Sequence, residues 1–327
     1  MKAIRQHAFG GPDQLVLEEV PDPEPADGQV RIAVEASGVH LLDTSIRRGE
    51  SGGPMPLPEL PMTPGREVAG TIERLGPGVD PEWLGRRVVA HLGFVSGGYA
   101  TLAVTDVPAL IPLADHVSAV DAVAMVGTGR TALGILEVAR PVAGDVALLT
   151  SAAGGLGALL VQALVRAGAT VVGGVGSAAK VPVVEHLGAD VVVDYSSPGW
   201  EDVVRGAVDG AGLTLALDGI GGEVGRAVFE LLAPGGRIVL YGYSSGSPTP
   251  IDTGDLFSRG VSATAAIGPR MMSRPGGIRA LAEQAVGELE SGRWQPLVHP
   301  PFPLADAAGA HRALESRATT GKVVLVP

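Results

Sequence analysis

The sequence predicts an α/β protein of two domains, a mostly antiparallel β domain followed by a doubly wound parallel sheet. Three observations carry that expectation. The chain has 327 residues, about twice the size of a common domain. Short β-type runs broken by proline and glycine fill the stretch up to about residue 120. From about 121, apolar strand-like runs alternate with helix-like segments, the βαβ rhythm.

Composition narrows the class. Hydrophobic residues make up 46% and charged residues 18%, so the chain has enough apolar side chain to fold. The net charge is −11, from 24 basic and 35 acidic residues, with no basic block that tracks a phosphate backbone; nucleic acid is not an expected partner. Cysteine is absent, which excludes disulfides, thiol nucleophiles, iron–sulfur clusters and thiolate zinc sites. The seven histidines (7, 40, 91, 116, 186, 299 and 311) include no i,i+4 pair, so a helical His-Glu-x-x-His zinc site is missing too, and no metal is expected. The start, MKAIRQHAFGG, lacks the apolar stretch of a secretory signal; the expected location is the cytoplasm.

The β-type runs of the first part are QLVLEEV, QVRIAVEASGV, REVAGTIERLG, RRVVAHL and GYATLAV, bounded by turn residues such as PDPEPADG. Proline is dense between 54 and 64, which disfavours helix and suits a surface loop over a site. The second part contains VALLTS (146–151), TVVGGV (170–175), DVVVDY (190–195), LTLALDGI (213–220) and GRIVLYGY (236–243). Being nearly all apolar, these suit a parallel sheet covered on both faces. Right-handed crossovers then align the carboxyl ends of the strands along one edge, where ligands bind. After about 265 come a helix-like IRALAEQAVGELESG and a strand-like KVVLVP. Residues 146–165 are uncharged and long enough to imitate a membrane span, but Gly154, Gly155 and Gly157 in their middle argue for strand, turn and helix; no membrane partner is expected.

The stretch DVALLTSAAGGLGALLVQALVRAGATVVGG, residues 145–174, is the most informative. A strand enters Ala152, Ala153, Gly154, Gly155, Leu156 and Gly157, then a helix ended by Gly168, then a second strand. Gly154 and Gly157 hold the second and third places of a dinucleotide fingerprint and Ala152 the first. In that fingerprint the glycines make the turn, admit a pyrophosphate and pack helix on strand, and the helix N-terminus offers N–H groups to the diphosphate. The competing reading is a merely structural tight turn. The second strand ends in Gly173, Gly174, Val175, Gly176 and Ser177, with no carboxylate for a ribose diol. Lys180, one of three lysines in the chain, follows. With Ser177 and Tyr195 it can supply the cation and hydroxyls a 2′-phosphate needs, so NADPH is the expected cofactor; otherwise Lys180 is a solvated residue in the first turn of a helix.

These motifs, with GVHLLDTSIRRGE, TPGREVAG, SGGYA, LGADVVVDY, LALDGIGG, GGRIVLYG and LESRATTGKVVLVP, resemble the zinc-independent branch of the medium-chain dehydrogenase/reductase superfamily, specifically the NADPH:quinone oxidoreductases similar to zeta-crystallin. The resemblance spans the whole length. It implies a GroES-like, mostly β catalytic domain from residues 1–120 and 266–327, a Rossmann NADPH-binding domain from 121–265, an active cleft between them, and a homodimer. It also implies that Thr131 and the backbone near Tyr241 and Gly242 lie close to the nicotinamide and that Arg317 reaches the adenosine end.

Two departures bear on chemistry. Where the family reads G-[VI]-N-x-x-D, this chain has His40 in place of the Asn and keeps Asp43; where many members carry Tyr two residues later, it has Ser45. His40 is able to donate a proton near neutral pH, which Asn is not; alternatively it fills the asparagine's space and bonds the cofactor. Metal-free hydride delivery to a conjugated carbonyl needs donors for the developing oxyanion, and the candidates are His40, Ser45, Tyr241 and backbone N–H groups. The expected activity is NADPH-dependent reduction of a quinone or α,β-unsaturated carbonyl. The alternatives are enoyl-thioester reduction, for which the family's proton-donating Tyr has no counterpart between Thr44 and Pro64, and NADPH binding without turnover.

Overall fold

The β runs of the first part form β1 (Lys2–Gln6), β2 (Leu15–Glu19), β3 (Gln29–Val39), β4 (Glu67–Leu75), β5 (Arg87–His91), β6 (Leu102–Asp106) and β7 (Leu110–Pro112). The computed structural model describes residues 1–50, 56–93, 96–208, 210 and 212–327; part of the proline-dense loop, residues 54 and 55, lies outside them. β1 and β2 make an antiparallel pair. The eleven-residue β3 is the spine of the larger sheet: it pairs antiparallel with β4 along most of its length and with β6 at its start. Val30, Ile32 and Val34 alternate into a core with Val68, Ile72, Val88 and Ala90, the two-residue period of a strand. A register shift between Val34 and Ala36 then turns Ala36 into a second core with Ala69, Val89, Ala122, Val123 and Val126, as a bulge is expected to do.

The alternating part supplies β8 (Val146–Leu149), β9 (Thr170–Val175), β10 (Val191–Asp194), β11 (Leu213–Asp218), β12 (Leu232–Leu240) and β13 (Ser262–Ala265). They form one parallel sheet in the order β10-β9-β8-β11-β12-β13. All five apolar runs are strands. The sixth, β13, has the sequence Ser-Ala-Thr-Ala at the sheet edge; too small and polar to show in the apolar pattern, it is fixed by pairing with β12. The span-like stretch 146–165 resolves into β8, a turn and the helix Gly155–Arg166, with Leu159 and Leu160 fully buried. Among the described residues Ala119–Ala139 is also long and apolar enough to cross a membrane, and 61% of its apolar window is buried inside the protein.

The chain returns with β14 (Phe302–Pro303) and β15 (Val323–Val326). β15 pairs antiparallel with the end of β3, Val323 opposite Val39. Two compact units result, Met1–Gly129 with Ala282–Pro327, and Arg130–Leu281; both boundaries fall further along the chain than residues 120 and 265.

In the second unit Asp145 ties the starts of β8 and β11 to the middle of β12. Its carboxylate accepts from Arg237 at 2.7 and 3.0 Å, from Thr214 Oγ1 at 2.7 Å and from the Val142 N–H at 2.9 Å. Burial alone would raise this carboxyl, but those donors outweigh it and bring it down to about 2. The folded state therefore binds this proton later than the unfolded chain does, and the contribution is present above pH 4 and lost as pH falls towards 2. Asp145→Asn is expected to cost on the order of 2 kcal/mol at pH 7. In urea unfolding, the gap between parent and variant should narrow steadily below pH 4; a gap independent of pH would show that the charge contributes nothing.

Candidate active site and cofactor cradle

Three strand ends converge in the first unit. His40 directly follows β3, Glu67 opens β4, and Lys322 directly precedes β15, so pairing of β4 and β15 on either side of β3 brings them together. His40 Nε2 lies 2.7 Å from Glu67 Oε2, Lys322 Nζ lies 2.8 Å from the same oxygen, and Nζ and Nε2 are 3.0 Å apart. Glu67 has no exposed surface, Lys322 is nearly buried, and the His40 side chain keeps 29% exposure. Burial pushes the Glu67 carboxyl up, but the adjacent His40 and Lys322, with His91 behind them, more than reverse this and hold it well below the usual carboxylate range. Glu67 is thus an anion held in the interior against the Lys322 ammonium and the His40 ring.

A directional chain of hydrogen bonds fixes the backbone at His40. Arg47 points Nη1 at His311 Nδ1 (3.2 Å), His311 Nε2 faces the Tyr99 hydroxyl (3.2 Å), and that hydroxyl donates to Asp43 Oδ2 (3.0 Å). The same Asp43 oxygen accepts the His40 backbone N–H at 2.8 Å and so caps the helix Leu41–Arg48. Arginine only donates, so His311 Nδ1 must accept and Nε2 must carry the hydrogen towards Tyr99. Burial pushes His311 down to about 4, against the pull of Asp43; burial and then Asp43 push the Tyr99 phenol well up. Neutral His311 is the form that fits.

The second unit carries the glycine-rich turn. Ala153 is buried, and the helix beginning at Gly155, with Leu156 and Gly157 in its first turn, is capped by Gly154. A Cβ at Gly157 would collide with the Ser151 carbonyl and stand 2.8 Å from Ala152 Cα, whereas one at Gly154 would meet only the Ser151 carbonyl at 3.4 Å. Those are the packing and access roles of the last two fingerprint positions. The first position differs: the left-handed residue is Ser151, with φ of 56°, and Ala152 follows it. The turn follows β8 beside β11, where the strand order reverses. Thr150 joins the two sides there, donating to Asp218 Oδ1 at 3.0 Å and accepting the Gly219 N–H at 2.9 Å.

At the end of β9 the glycines have packing partners. Gly173 leaves room for Val184, and the Tyr195 ring lies over Gly174 and Gly176 with its hydroxyl near the latter. Ser177 precedes the short 3-10 turn that ends at Lys180. This brings Gly174, Ser177, Lys180 and Tyr195 to one end of neighbouring strands. Asp194, on which the sequence reading placed no weight, ends β10; its carboxylate accepts from the Ser196 hydroxyl and N–H and from the Ala178 N–H, which keep it below its ordinary value.

The remaining candidates stand as follows. Ser45 accepts from Arg48 at 3.2 Å and bonds Glu50, so its hydroxyl belongs to a surface ion-pair group. The Tyr241 hydroxyl donates to the Thr150 carbonyl at 3.1 Å, and burial, with Asp218 beside it, raises the phenol far above its ordinary value. Gly242 follows it, Thr131 lies in the helix Thr128–Ala139, and Arg317 sits exposed and left-handed (φ 56°) after the helix Ala307–Glu315. The interval Thr44 to Pro64, which holds no tyrosine, includes residues 51–55, outside the described set.

Comparisons with known proteins agree over the whole chain. The alcohol dehydrogenase GroES-like domain family matches residues 26–115, and the family described as zinc-binding dehydrogenase matches 187–325. A 2-haloacrylate reductase of Burkholderia sp is 33% identical over 98% of this chain and 97% of its own length. A quinone oxidoreductase of Pseudomonas aeruginosa is 30% identical over 100% and 99%. The chain belongs to the quinone oxidoreductase branch of the medium-chain dehydrogenase/reductase superfamily. Among solved structures, the Escherichia coli quinone oxidoreductase complexed with NADPH superposes with a TM-score of 0.86 at 28% identity, and an NAD-dependent alcohol dehydrogenase with 0.88 at 28%, each covering 100% of both chains.

Zinc, which the second family's description implies, does not fit this superfamily member. The chain has no cysteine, no group of three or more His, Asp or Glu among the described residues is placed to hold a metal, and the Lys322 ammonium already contacts both His40 and Glu67. Sequence reasoning missed Glu67, Lys322 and the His311–Tyr99–Asp43 chain. The motifs GREVAG, SGGYA and GKVVLVP contain several of these residues, but nothing in their spacing says that they meet.

The His311 chain makes a pH-dependent prediction. As pH drops below 6.5 the unfolded chain protonates this histidine while the folded protein resists until about 4, so stability falls as pH falls through that window. His311→Gln should remove a loss on the order of 3 kcal/mol between pH 6.5 and 4. Parallel unfolding profiles for parent and variant across the window would contradict a buried neutral His311.

Proposed function

We propose that this oxidoreductase uses NADPH to reduce a quinone or an α,β-unsaturated carbonyl, with His40 as proton donor. The observation that carries the reading is the His40 ring, whose Nε2 faces Glu67 and Lys322 while the side chain keeps 29% exposure. The names of the relatives, reductases of quinones and of a haloacrylate, support the substrate class. The cradle fits NADPH: Gly154 leaves the turn open above a helix N-terminus, and Ser177, Lys180 and Tyr195 gather hydroxyls and a cation at the neighbouring strand ends. Thr131, Tyr241, Gly242 and Arg317 are assigned to the rest of the cofactor surface, Tyr241 through its ring and backbone because its hydroxyl is engaged. We assign two such chains to a homodimer.

NADPH when bound supplies a hydride for the carbon conjugated to the carbonyl. As that bond forms, the carbonyl oxygen gains negative charge, and His40 in its doubly protonated form gives the oxygen the Nδ1 proton, leaving a neutral ring with Nε2–H. Solvent restores the proton through the exposed side of the ring. Ser45 has no part in this transfer, since its hydroxyl is committed to Arg48 and Glu50.

Two measurements test the reading. His40→Asn should lower turnover with quinones or enones at least about tenfold, within the range of acid–base groups, with NADPH affinity little changed; an undiminished rate removes the donor. Lys180→Ala should weaken NADPH about tenfold to a hundredfold, the equivalent of one charge-assisted hydrogen bond of roughly 1.5 to 3 kcal/mol, and leave NADH untouched. Equal losses for both nucleotides would assign Lys180 to the fold of the turn.

A further inference from the structure

His40 alone does not determine which of its two nitrogens does the work. We propose that Glu67 and Lys322 are positioning residues that hold the hydrogen on Nε2, so that Nδ1 is the nitrogen from which a proton leaves. This rests on the reading of His40 as proton donor.

The triangle of contacts decides between tautomers. Glu67 Oε2 faces Nε2 at 2.7 Å and Nζ at 2.8 Å. A carboxylate oxygen only accepts, and a bare lone pair on Nε2 at that distance from it would be strongly repelled. Nε2 therefore carries its hydrogen and donates it to Oε2. The Lys322 ammonium has the same oxygen to donate to, so its 3.0 Å approach to Nε2 is the third side of the triangle and does not compete for the ring nitrogen. Lys322 has a second task, because a carboxyl buried without a cation takes up a proton. A protonated Glu67 would donate to Nε2 and drive the hydrogen to Nδ1, from which a neutral ring could release it only by becoming an anion.

Two glycines clear the space that the carboxylate occupies. A Cβ at Gly38, on β3, would collide with Glu67 Oε2 and stand 3.1 Å from Lys322 Cε. One at Gly127, where the helices Ala119–Val126 and Thr128–Ala139 meet, would collide with Oε1. Oε1 itself has no hydrogen-bond partner among the described residues, so both donors rest on one oxygen, and a rotation of the carboxylate would lose them together. The other titratable and charged neighbours, His91 opposite Glu67 in β5 and the Arg66–Asp43 pair at 3.7 Å, lie outside the triangle.

The tautomer is read by nitrogen NMR of the full-length protein with labelled histidine, the His40 signals being those lost in His40→Asn. The neutral ring of the parent should be the Nε2–H form. That preference should weaken or reverse in Glu67→Gln/Lys322→Met, which removes both charges together, and in Gly127→Ala, which displaces the carboxylate and removes no charge. An Nδ1–H ring in the parent, or an unchanged tautomer in both variants, overturns the proposal. Kinetics separates it from the reading beneath it. Glu67→Gln/Lys322→Met should lower kcat at least about tenfold with KM for NADPH within about twofold, and should cost no more than about twofold on the His40→Asn background. Equal losses on both backgrounds would make the pair merely structural and leave His40 standing; no loss from His40→Asn itself would remove the donor first.

Discussion

A carboxylate with no exposed surface has to be answered by the rest of the fold, and Glu67 is that constraint here. Losing one partner of such a pair costs about 3–5 kcal/mol in typical interiors, so Lys322 is tied to Glu67 as firmly as any apolar core contact. Lys322 stands 255 residues further along the chain, and it reaches Glu67 because β15 adds to the free side of β3. β15 brings the cation to this charge, and the glycines at 38 and 127 leave the carboxylate its space.

The chain from Arg47 to Asp43 serves the same place by a different means. It crosses four segments, the helix Leu41–Arg48, the loop ending at Tyr99, the helix Ala307–Glu315 and the turn at His40. Each group has a single workable role: Arg47 donates, neutral His311 accepts and passes on a hydrogen, Tyr99 donates, and Asp43 accepts both the phenol and the His40 N–H. Arg47 is further anchored by Glu315 at 2.6 Å. Glu67 fixes the ring of His40 and Asp43 fixes its backbone, which leaves the side chain few ways to move.

How much of this was legible in the sequence depends on whether neighbours in space are neighbours in sequence. The parallel sheet was legible because each buried strand must be apolar over its own length, as Val146–Leu149 and Leu213–Asp218 are. The glycine turn was legible for a similar reason, since Gly154 and Gly157 answer to backbone only a few residues away. The strained residue in that turn was not, because Ser151 takes the left-handed position without being the glycine that would announce it. β13 was invisible because an exposed edge strand needs little apolar surface, and its Ser-Ala-Thr-Ala run offers none of the usual signal.

The same distinction separates the glycine-rich turn of the second unit from the His40 cluster of the first. The turn is made largely of main chain, with N–H groups at a helix end and glycines that clear space, so its demands are written locally and as a spacing. The His40 cluster is made of side chains from separate strands, helices and loops, and its partners, 40 with 67 and 322, 43 with 99 and 311, meet only once the sheet has closed. His40 stands out in the sequence because it departs from the family's Asn. Glu67 and Lys322 keep ordinary-looking places in GREVAG and GKVVLVP, yet a histidine at 40 is of chemical use only if something decides where its hydrogens sit. Substitution at position 40 and the pair behind it are therefore one feature: an asparagine there would meet the same carboxylate with an amide that has no proton to give up, and the buried charge that orients a histidine would then merely hold a side chain in place.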